Sequence, residues 1–496
     1  MKLSIWNRTL AIAGILLISP STHATLLTLS QSPLFLTSPA SANVLIDMSV
    51  ETPMGGAAYA DQQGNPPGCS GRITKGGGEV GACYFPDYTY LGIFDPDKCY
   101  VYSSGQFNPD SAASSHTCSG GKWSGNFLNW ATMTAIDMFI WTMTGGNRIV
   151  DSPTETVLER ARAQNNISWY PIKYVADGSG ATPWTGELYI TNHSVGGYRF
   201  KVGTRRGESQ KGRFNVKVKV CDPSKGLEAN CNKYTDSATG NTVYKPEGFI
   251  QKYAETMRFG VFSYTNDNSK ARDGGVLRAP MRYVGEKKID NSGNVVANTT
   301  REINPATGQI YQNPLGEAGG WSGVINYINR FHYDGYKSYD PIGEMFYEAI
   351  RYFKNLAPTP EYASGAPGGS FPIYTTWNDP IQFSCQKNFI VAINDANPWL
   401  DKKLPGTFFT CDKAGKTGLP GSFQAGDCGE PSNPDTSIDV AALTQQVGEM
   451  EGLHTTWTQD NASGSDTVGY VYGTARDSRV RSCRASMRQP LLRMRK

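Results

Sequence analysis

The stretch ANVLIDMSVETPM, residues 42–54, sets oxygen-bearing side chains at alternate positions, Asp47, Ser49 and Glu51, behind a short apolar run. Alternate side chains of an extended chain point to one face, so several oxygens can converge on one point. An all-oxygen donor set suits a hard divalent cation. The same residues also suit an ordinary turn, because Asp, Ser and Thr before Pro53 and the glycine pair 55–56 are turn formers. On this stretch alone both readings stand. Two later stretches add oxygen donors. KNFIVAINDANPW places Asp395 after a second apolar run, and YDPIGEMFYEAIRYF places Asp340 at the start of a helical pattern.

Those residues need elements to hold them. Val44, Leu45 and Ile46 read as a short strand buried on both faces of a parallel sheet, and residues 389–393 read as a second. In open α/β sheets ligands bind at the carboxyl ends of the strands, where Asp47 and Asp395 fall. Asp340 suits a helix cap, with Pro341 at the first helical position. Ile342, Met345, Phe346, Ala349, Ile350 and Phe353 then predict one core-facing stripe. A further amphipathic helix is expected near 127–143. From about 150 to 330 the chain is rich in Gly, Tyr and Thr, with alternating runs such as GRFNVKVKVC at 212–221, the mark of half-exposed antiparallel strands. The expected fold is α/β: a central sheet flanked by helices, discontinuous, carrying a large β-rich insertion. Residues 55–118 read as an exposed loop surface, and 400–428 as a disulfide-tied flap.

The arrangement of Asp47, Ser49, Glu51, Asp340 and Asp395 resembles the von Willebrand factor A domain and its metal-ion-dependent adhesion site. That motif has Asp-x-Ser-x-Ser after the first strand, a Thr from a later loop and an Asp after a central strand. Asp47, Ser49 and Asp395 match; Glu51 stands where the second Ser belongs and Asp340 where the Thr belongs. With four carboxylates around one ion, larger and more flexible coordination favours Ca²⁺ over Mg²⁺. Beyond the fold, WSGNFLNWATMTAIDMF (123–139), TVLERA (156–161), RFGVFSY (258–264), DGGVLRAPMRYVG (273–285), YDPIGEMFYEAIRYF (339–353) and CQKNFIVAINDANPW (385–399) resemble the N-terminal half of the PilC/PilY family of type IV pilus assembly and tip-adhesin proteins. The resemblance covers about residues 42–399. Long members of that family continue into a C-terminal β-propeller with a calcium loop; this chain shows no repeat of blade length and no DxDxDG-like loop, so the likeness is to the part without the propeller.

Composition frames this reading. The 496 residues are 39% apolar, with 54 Gly, 29 Pro and 26 Tyr, a loop-rich globular pattern. Residues 1–24 carry Lys2 and Arg8, an apolar run and small residues Thr22 and Ala24, and are expected to be a cleaved export signal. No later stretch is apolar enough to cross a bilayer, so no transmembrane segment is expected after signal removal. Ten cysteines without a CxxC pair argue for disulfides rather than zinc. Cys221 and Cys231 bracket a hairpin-like loop and are the best-supported pair; Cys99–Cys118 and Cys411–Cys428 share the same local logic, and spacing does not fix the connectivity. The net charge of +3 is uneven: residues 476–496 hold eight Lys/Arg against one Asp, which with the basic leader makes the remainder mildly acidic. That tail has no periodicity and no aromatics. It reads as a truncated or frame-shifted end outside the folded core of residues 25–475, and no nucleic-acid binding is expected of it. The five histidines are scattered, no HExxH occurs, and GKT at 415–417 lacks the first glycine of a phosphate loop.

Three functions follow. The first is an exported pilus-associated adhesin or assembly factor, in the periplasm, on the outer surface or at the pilus tip. Its partners would be minor pilins, the pilus fibre and a host or abiotic surface, engaged through a divalent cation. The second is a structural protein with a vestigial site that primes or caps the fibre. The third is an exported hydrolase using two of the carboxylates, for which nothing else in the chain speaks; no catalysis is expected.

Overall fold

The computed structural model describes residues 40–59, 71–236, 239–264, 274–337, 341–363 and 369–394. The expected signal, the 400–428 flap with Cys411 and Cys428, the basic tail, Asp340 and Asp395 all lie outside the described residues. In chain order the strands and helices begin with β1 (Ala42–Met48), β2 (Arg72–Lys75), β3 (Gly78–Gly81), β4 (Lys98–Ser103), β5 (Gln106–Ala112), β6 (Trp123–Ser124), α1 (Gly125–Thr132), α2 (Ala135–Thr144), β7 (Arg148–Asp151), β8 (Thr156–Glu159) and β9 (Lys173–Val175). They continue with β10 (Leu188–Thr191), β11 (Arg199–Gly203), β12 (Gly212–Asn215), β13 (Lys217–Val220), β14 (Cys231–Thr235), β15 (Thr242–Pro246), α3 (Phe249–Lys252), β16 (Met257–Tyr264), β17 (Gly275–Arg282), β18 (Lys287–Ile289), β19 (Val295–Ala297), α4 (Val324–Arg330), α5 (Ile342–Phe353) and β20 (Asn388–Ile393).

The sheet that carries Asp47 has the order β17-β16-β1-β20. β1 runs parallel to both β16 and β20, with Asp47 beside Phe262 on one side and Ala392 on the other. The apolar run of β1 is buried on both faces, as a strand inside a parallel sheet requires. The two faces are covered by different helices. Phe262 meets Tyr352 of α5, ring centroids 5.7 Å apart. The next residue, Ser263, points the other way, toward Tyr327 of α4. Alternation along β16 therefore places α5 and α4 on opposite sides of the sheet.

The long stretch expected as an insertion also builds this sheet. Residues 257–282 supply β16 and β17, because RFGVFSY is a fully buried run and such runs pair inside a sheet. The separate β-rich part starts before residue 150. Its two six-stranded sheets have the orders β12-β11-β10-β9-β3-β2 and β6-β4-β5-β13-β8-β7. They face each other across a second core that takes Phe107, Leu158 and Val218 from one sheet and Leu188, Ile190, Phe200 and Val202 from the other, with Phe127 and Trp130 of α1. Residues 55–118 are thus not an exposed loop surface: they contribute four strands, and Tyr90, Phe94 and Tyr100 are buried in this core. Aromatic side chains bury large apolar areas, which outweighs the turn-rich composition around them.

Two helices differ from expectation. The segment near 127–143 is two helices, α1 and α2, broken at Met133. Thr134 caps α2 with a reciprocal capping box: its hydroxyl accepts from Asp137 N–H, and the Asp137 carboxylate accepts from Thr134 N–H at 2.8 Å. In α5, Pro341 occupies the cap position, one residue later than expected. More importantly, α5 buries Met345, Glu348, Ala349 and Tyr352, while Phe346 and Ile350 of the expected core stripe are 43% and 39% exposed. The helix is apolar on two sides, so spacing alone does not select the side that meets the sheet. Glu348 tolerates burial because it accepts from Thr359 N–H at 3.0 Å and lies beside Arg351.

Candidate functional site

Asp47 is the second-last residue of β1 and shares the α5 face with Phe262. Ser49, two residues on, continues that face by the same alternation. Backbone bonds fix the chain beyond the strand. Ser49 N–H donates to Ile393 O at 2.8 Å, which ties the carboxyl ends of β1 and β20 together. Lys337 N–H donates to Val50 O at 2.8 Å, and Thr52 N–H donates to Lys337 O at 2.9 Å. Glu51 therefore lies opposite Lys337, and its own N–H donates to the Ser49 hydroxyl at 3.3 Å.

Asp47, Ser49 and Glu51 are all buried. Both carboxylate oxygens of Asp47 lack a hydrogen-bond partner. Burial pushes its carboxyl well above the usual carboxylate range. A buried carboxylate without partner is costly, and such groups recur where a ligand or ion completes the coordination. The donor types suit an oxygen-coordinated cation: one orphaned carboxylate, a hydroxyl two residues away, and a second buried carboxylate two residues further on. Of the five sequence-derived ligands, Asp47, Ser49 and Glu51 are buried at the end of β1 and just beyond it; Asp340 and Asp395 lie outside the described residues.

Two buried charged residues at this end of the sheet were not anticipated. Glu344 is completely buried in the first turn of α5. That turn lies at the carboxyl end of β16: a side chain on Gly275, which pairs with Tyr264, would run into Met345. Lys337 is buried with its ammonium 5.5 Å from the ring centre of Tyr264. The sequence signal for Glu344 was present, an acid three residues after Pro341, but it reads equally as a favourable charge at a helix start. Lys337 had no local signal.

The expected cysteine pair is formed. Cys221 and Cys231 are bonded, as are Cys99 and Cys118. Glu228, in the loop between Cys221 and Cys231, accepts from Cys221 N–H at 2.7 Å and pairs with Lys98 at 2.7 Å. The Cys221–Glu228–Cys231 group is thus a disulfide with a buried ion pair, since bonded sulfurs offer no thiolate to a metal. Cys385 carries a free, exposed thiol. Among the described residues no helix is long and apolar enough to cross a membrane.

Comparison with known proteins gives two domain matches, "PilY1 homolog, small alpha/beta domain" over residues 82–216 and "PilY1 homolog, second domain" over residues 259–470. Similar proteins include a "Type IV pilus biogenesis factor PilY1 homolog" of Xylella fastidiosa (strain Temecula1 / ATCC 700964), 35% identical over 430 residues, covering 75% of this chain and 34% of the relative. A second protein of that name from the same organism is 27% identical over 469 residues, covering 76% of this chain and 29% of the relative. The chain spans about a third of the length of these curated relatives. No solved structure matches it.

Fold and site together define a mixed α/β protein in which a buried carboxylate sits at the carboxyl end of a strand with parallel neighbours on both sides, joined to a paired-sheet β-rich part tied by disulfides. The chain belongs to the PilY1-type family of type IV pilus proteins.

Proposed function

We propose that this chain acts in type IV pilus biogenesis and in surface adhesion, as an exported protein of the periplasm, outer surface or pilus tip. Its β1–β16–β20 sheet works as a von Willebrand factor A-like domain that holds a divalent cation. The curated relatives are named pilus biogenesis factors, which supports the pilus role and gives no reason to assign an enzyme activity. The observation that carries the cation is the orphaned, buried carboxylate of Asp47 at the carboxyl end of a parallel strand, beside Ser49 and Glu51. A bound ion would supply the positive charge that Asp47 lacks, and Ca²⁺ suits a carboxylate-rich donor set better than Mg²⁺. Minor pilins and the pilus fibre are the expected partners, and a host or abiotic surface the expected target.

A second reading has one observation in its favour. Lys337 buries an ammonium opposite Glu51, so part of this corner carries a fixed cation of its own. The sheet would then be a docking module without metal that primes or caps the fibre. Calorimetric titration of chelator-treated protein with Ca²⁺ separates the two. Heat of binding that is abolished by Asp47→Ala supports the cation; no heat at millimolar Ca²⁺ leaves the docking module. The pilus role itself is tested by deleting the gene and counting surface pili. Unchanged piliation and adhesion would refute both readings.

A further inference from the structure

The β11–β12 hairpin has two unlike faces. Phe200 and Val202 of β11 and Phe214 of β12 turn into the second core. On the opposite face the register sets Lys201 directly against Arg213 and Arg199 against Asn215. Directly opposed residues of an antiparallel pair have their Cβ atoms roughly 5 Å apart, and like charges in that position destabilise the sheet. Arg205 and Arg206 follow in the turn after β11, and both Lys201 and Arg206 act electrostatically on His193. Among the described residues none of Arg199, Lys201, Arg205, Arg206 and Arg213 forms an ion pair with an acid. The acids nearest in sequence are engaged elsewhere: Glu187 pairs with Lys75, and Glu208 bonds to Gln210. Arg206 is also seated rather than loose. It lies across the β2–β3 turn, where a Cβ on Gly78 would stand 2.8 Å from the guanidinium carbon. A glycine there leaves room for the arginine.

A stability cost kept without a counter-ion, and an arginine held in a glycine seat, mark a surface built for an anion. We propose that the outer face of the β11–β12 hairpin binds a linear acidic polysaccharide, whose anionic groups rest on Arg199, Lys201, Arg206 and Arg213. Three features select this partner. Cations two residues apart on a strand stand roughly 6.6 Å apart, a ladder for an extended polymer with regularly repeating charge. β11 is paired on both sides and β12 is the sheet's edge, so an acidic peptide would gain main-chain bonds along that edge and none on this face. The large apolar side chains of the hairpin, Phe200, Val202 and Phe214, pack inward, and Tyr189 and Tyr174 on the outer face of the next strands are buried, so the hairpin offers neither the exposed stacking rings that hold single-stranded nucleic acid nor the apolar wedge that enters a membrane. Arginine forks suit the planar carboxylates and the sulfates of acidic sugars.

The test uses the full chain against immobilised heparin as the sulfated probe and polygalacturonate as the carboxylated one. Polyglutamate, a single-stranded oligonucleotide and phosphatidylglycerol vesicles serve as competitors. Wild type is expected to bind one or both polysaccharides, with affinity falling steeply as salt rises. The double variant Lys201→Gln, Arg213→Gln is expected to weaken binding about tenfold or more by losing two charge contacts, without lowering the unfolding temperature, since it relieves a like-charge pair. Lys233→Gln, at an exposed lysine of β14 in a separate two-stranded sheet, should bind as wild type does. Binding to neither polysaccharide, undiminished binding by the double variant, or equal binding to polyglutamate, oligonucleotide or vesicles would overturn the proposal.

Discussion

Substituting Asp47 by Asn separates an ion site from a merely buried acid. The carboxyl is buried, has no hydrogen-bond partner, and is pushed well above its ordinary value by desolvation. The unfolded chain releases this proton near pH 3.8, while the folded chain holds it to higher pH. Over that window the folded state binds more protons, so stability is greatest below the unfolded value and falls as pH rises. The fall is about 1.4 kcal/mol per pH unit and stops once the folded group also ionises. In chelator-treated protein Asp47→Asn removes the ionisation but keeps the shape. The variant is therefore expected to be more stable than wild type at neutral pH, with a shallower decline from acid to neutral. Calcium reverses the order. An ion at a hundred times its dissociation constant adds about 2.7 kcal/mol to wild type, a rise of several degrees in unfolding temperature, and adds far less to the variant. Urea unfolding followed by tryptophan fluorescence from about pH 4 to pH 8, with chelator and with Ca²⁺, reads both effects. The reasoning is refuted if Asp47→Asn is the less stable protein in chelator at neutral pH and both proteins respond equally to Ca²⁺.

Replacing Cys221 and Cys231 by Ser opens a loop of 10 residues' separation and should cost about 2–3 kcal/mol in urea unfolding; a peptide map under non-reducing conditions should recover the linked pair from wild type. Asp137 accepts from Thr134 N–H and Ala161 N–H, at 2.8 and 2.6 Å, so Asp137→Ala strands buried donors and is expected to lose about 2–4 kcal/mol. Burial raises the Asp137 carboxyl to about 6, so its contribution declines between pH 3.8 and that value and is flat above it; Asp137→Asn should remove this slope from the pH profile. For His332, burial and then Arg330 pull the imidazole down to about 3 from 6.5. Its contribution is full above pH 6.5 and is lost at about 1.4 kcal/mol per pH unit on acidification, and acid unfolding of His332→Gln should be correspondingly less steep. Met345→Ala should cost about 2–5 kcal/mol, and Phe346→Ala less than about 1 kcal/mol, because only the first faces the sheet; equal losses in thermal unfolding would show that the Phe346 side is covered as well.

Much of the central sheet was legible because its signal is local. Residues 42–48 hold an apolar run buried on both faces, which needs no partner to be recognised as a strand; residues 389–393 were legible as strand but not as the buried strand expected, because β20 is the edge of the sheet and leaves Phe389 50% exposed. The Cys221–Cys231 bond was legible for the same reason, since a short loop keeps the two sulfurs near each other in any compact fold. The alternation of GRFNVKVKVC correctly marked strand, with Val216, Val218 and Val220 buried. It did not show that β12 and β13 belong to different sheets, which depends on strands far away in sequence. The same limit explains α5. Ile342, Phe346 and Ile350 have the spacing of a core stripe, but Met345, Ala349 and Tyr352 have it too, and only contact with β16 and β17 selects one. At the site, sequence identified Asp47, Ser49 and Glu51 as neighbours on one extended chain. The fold alone buried them, left the Asp47 oxygens without a partner, and brought Lys337 to the strand beside Glu51. Periodicity reports which side chains share a face; desolvation and pairing are set by what packs against that face, and those neighbours come from residues hundreds of positions away.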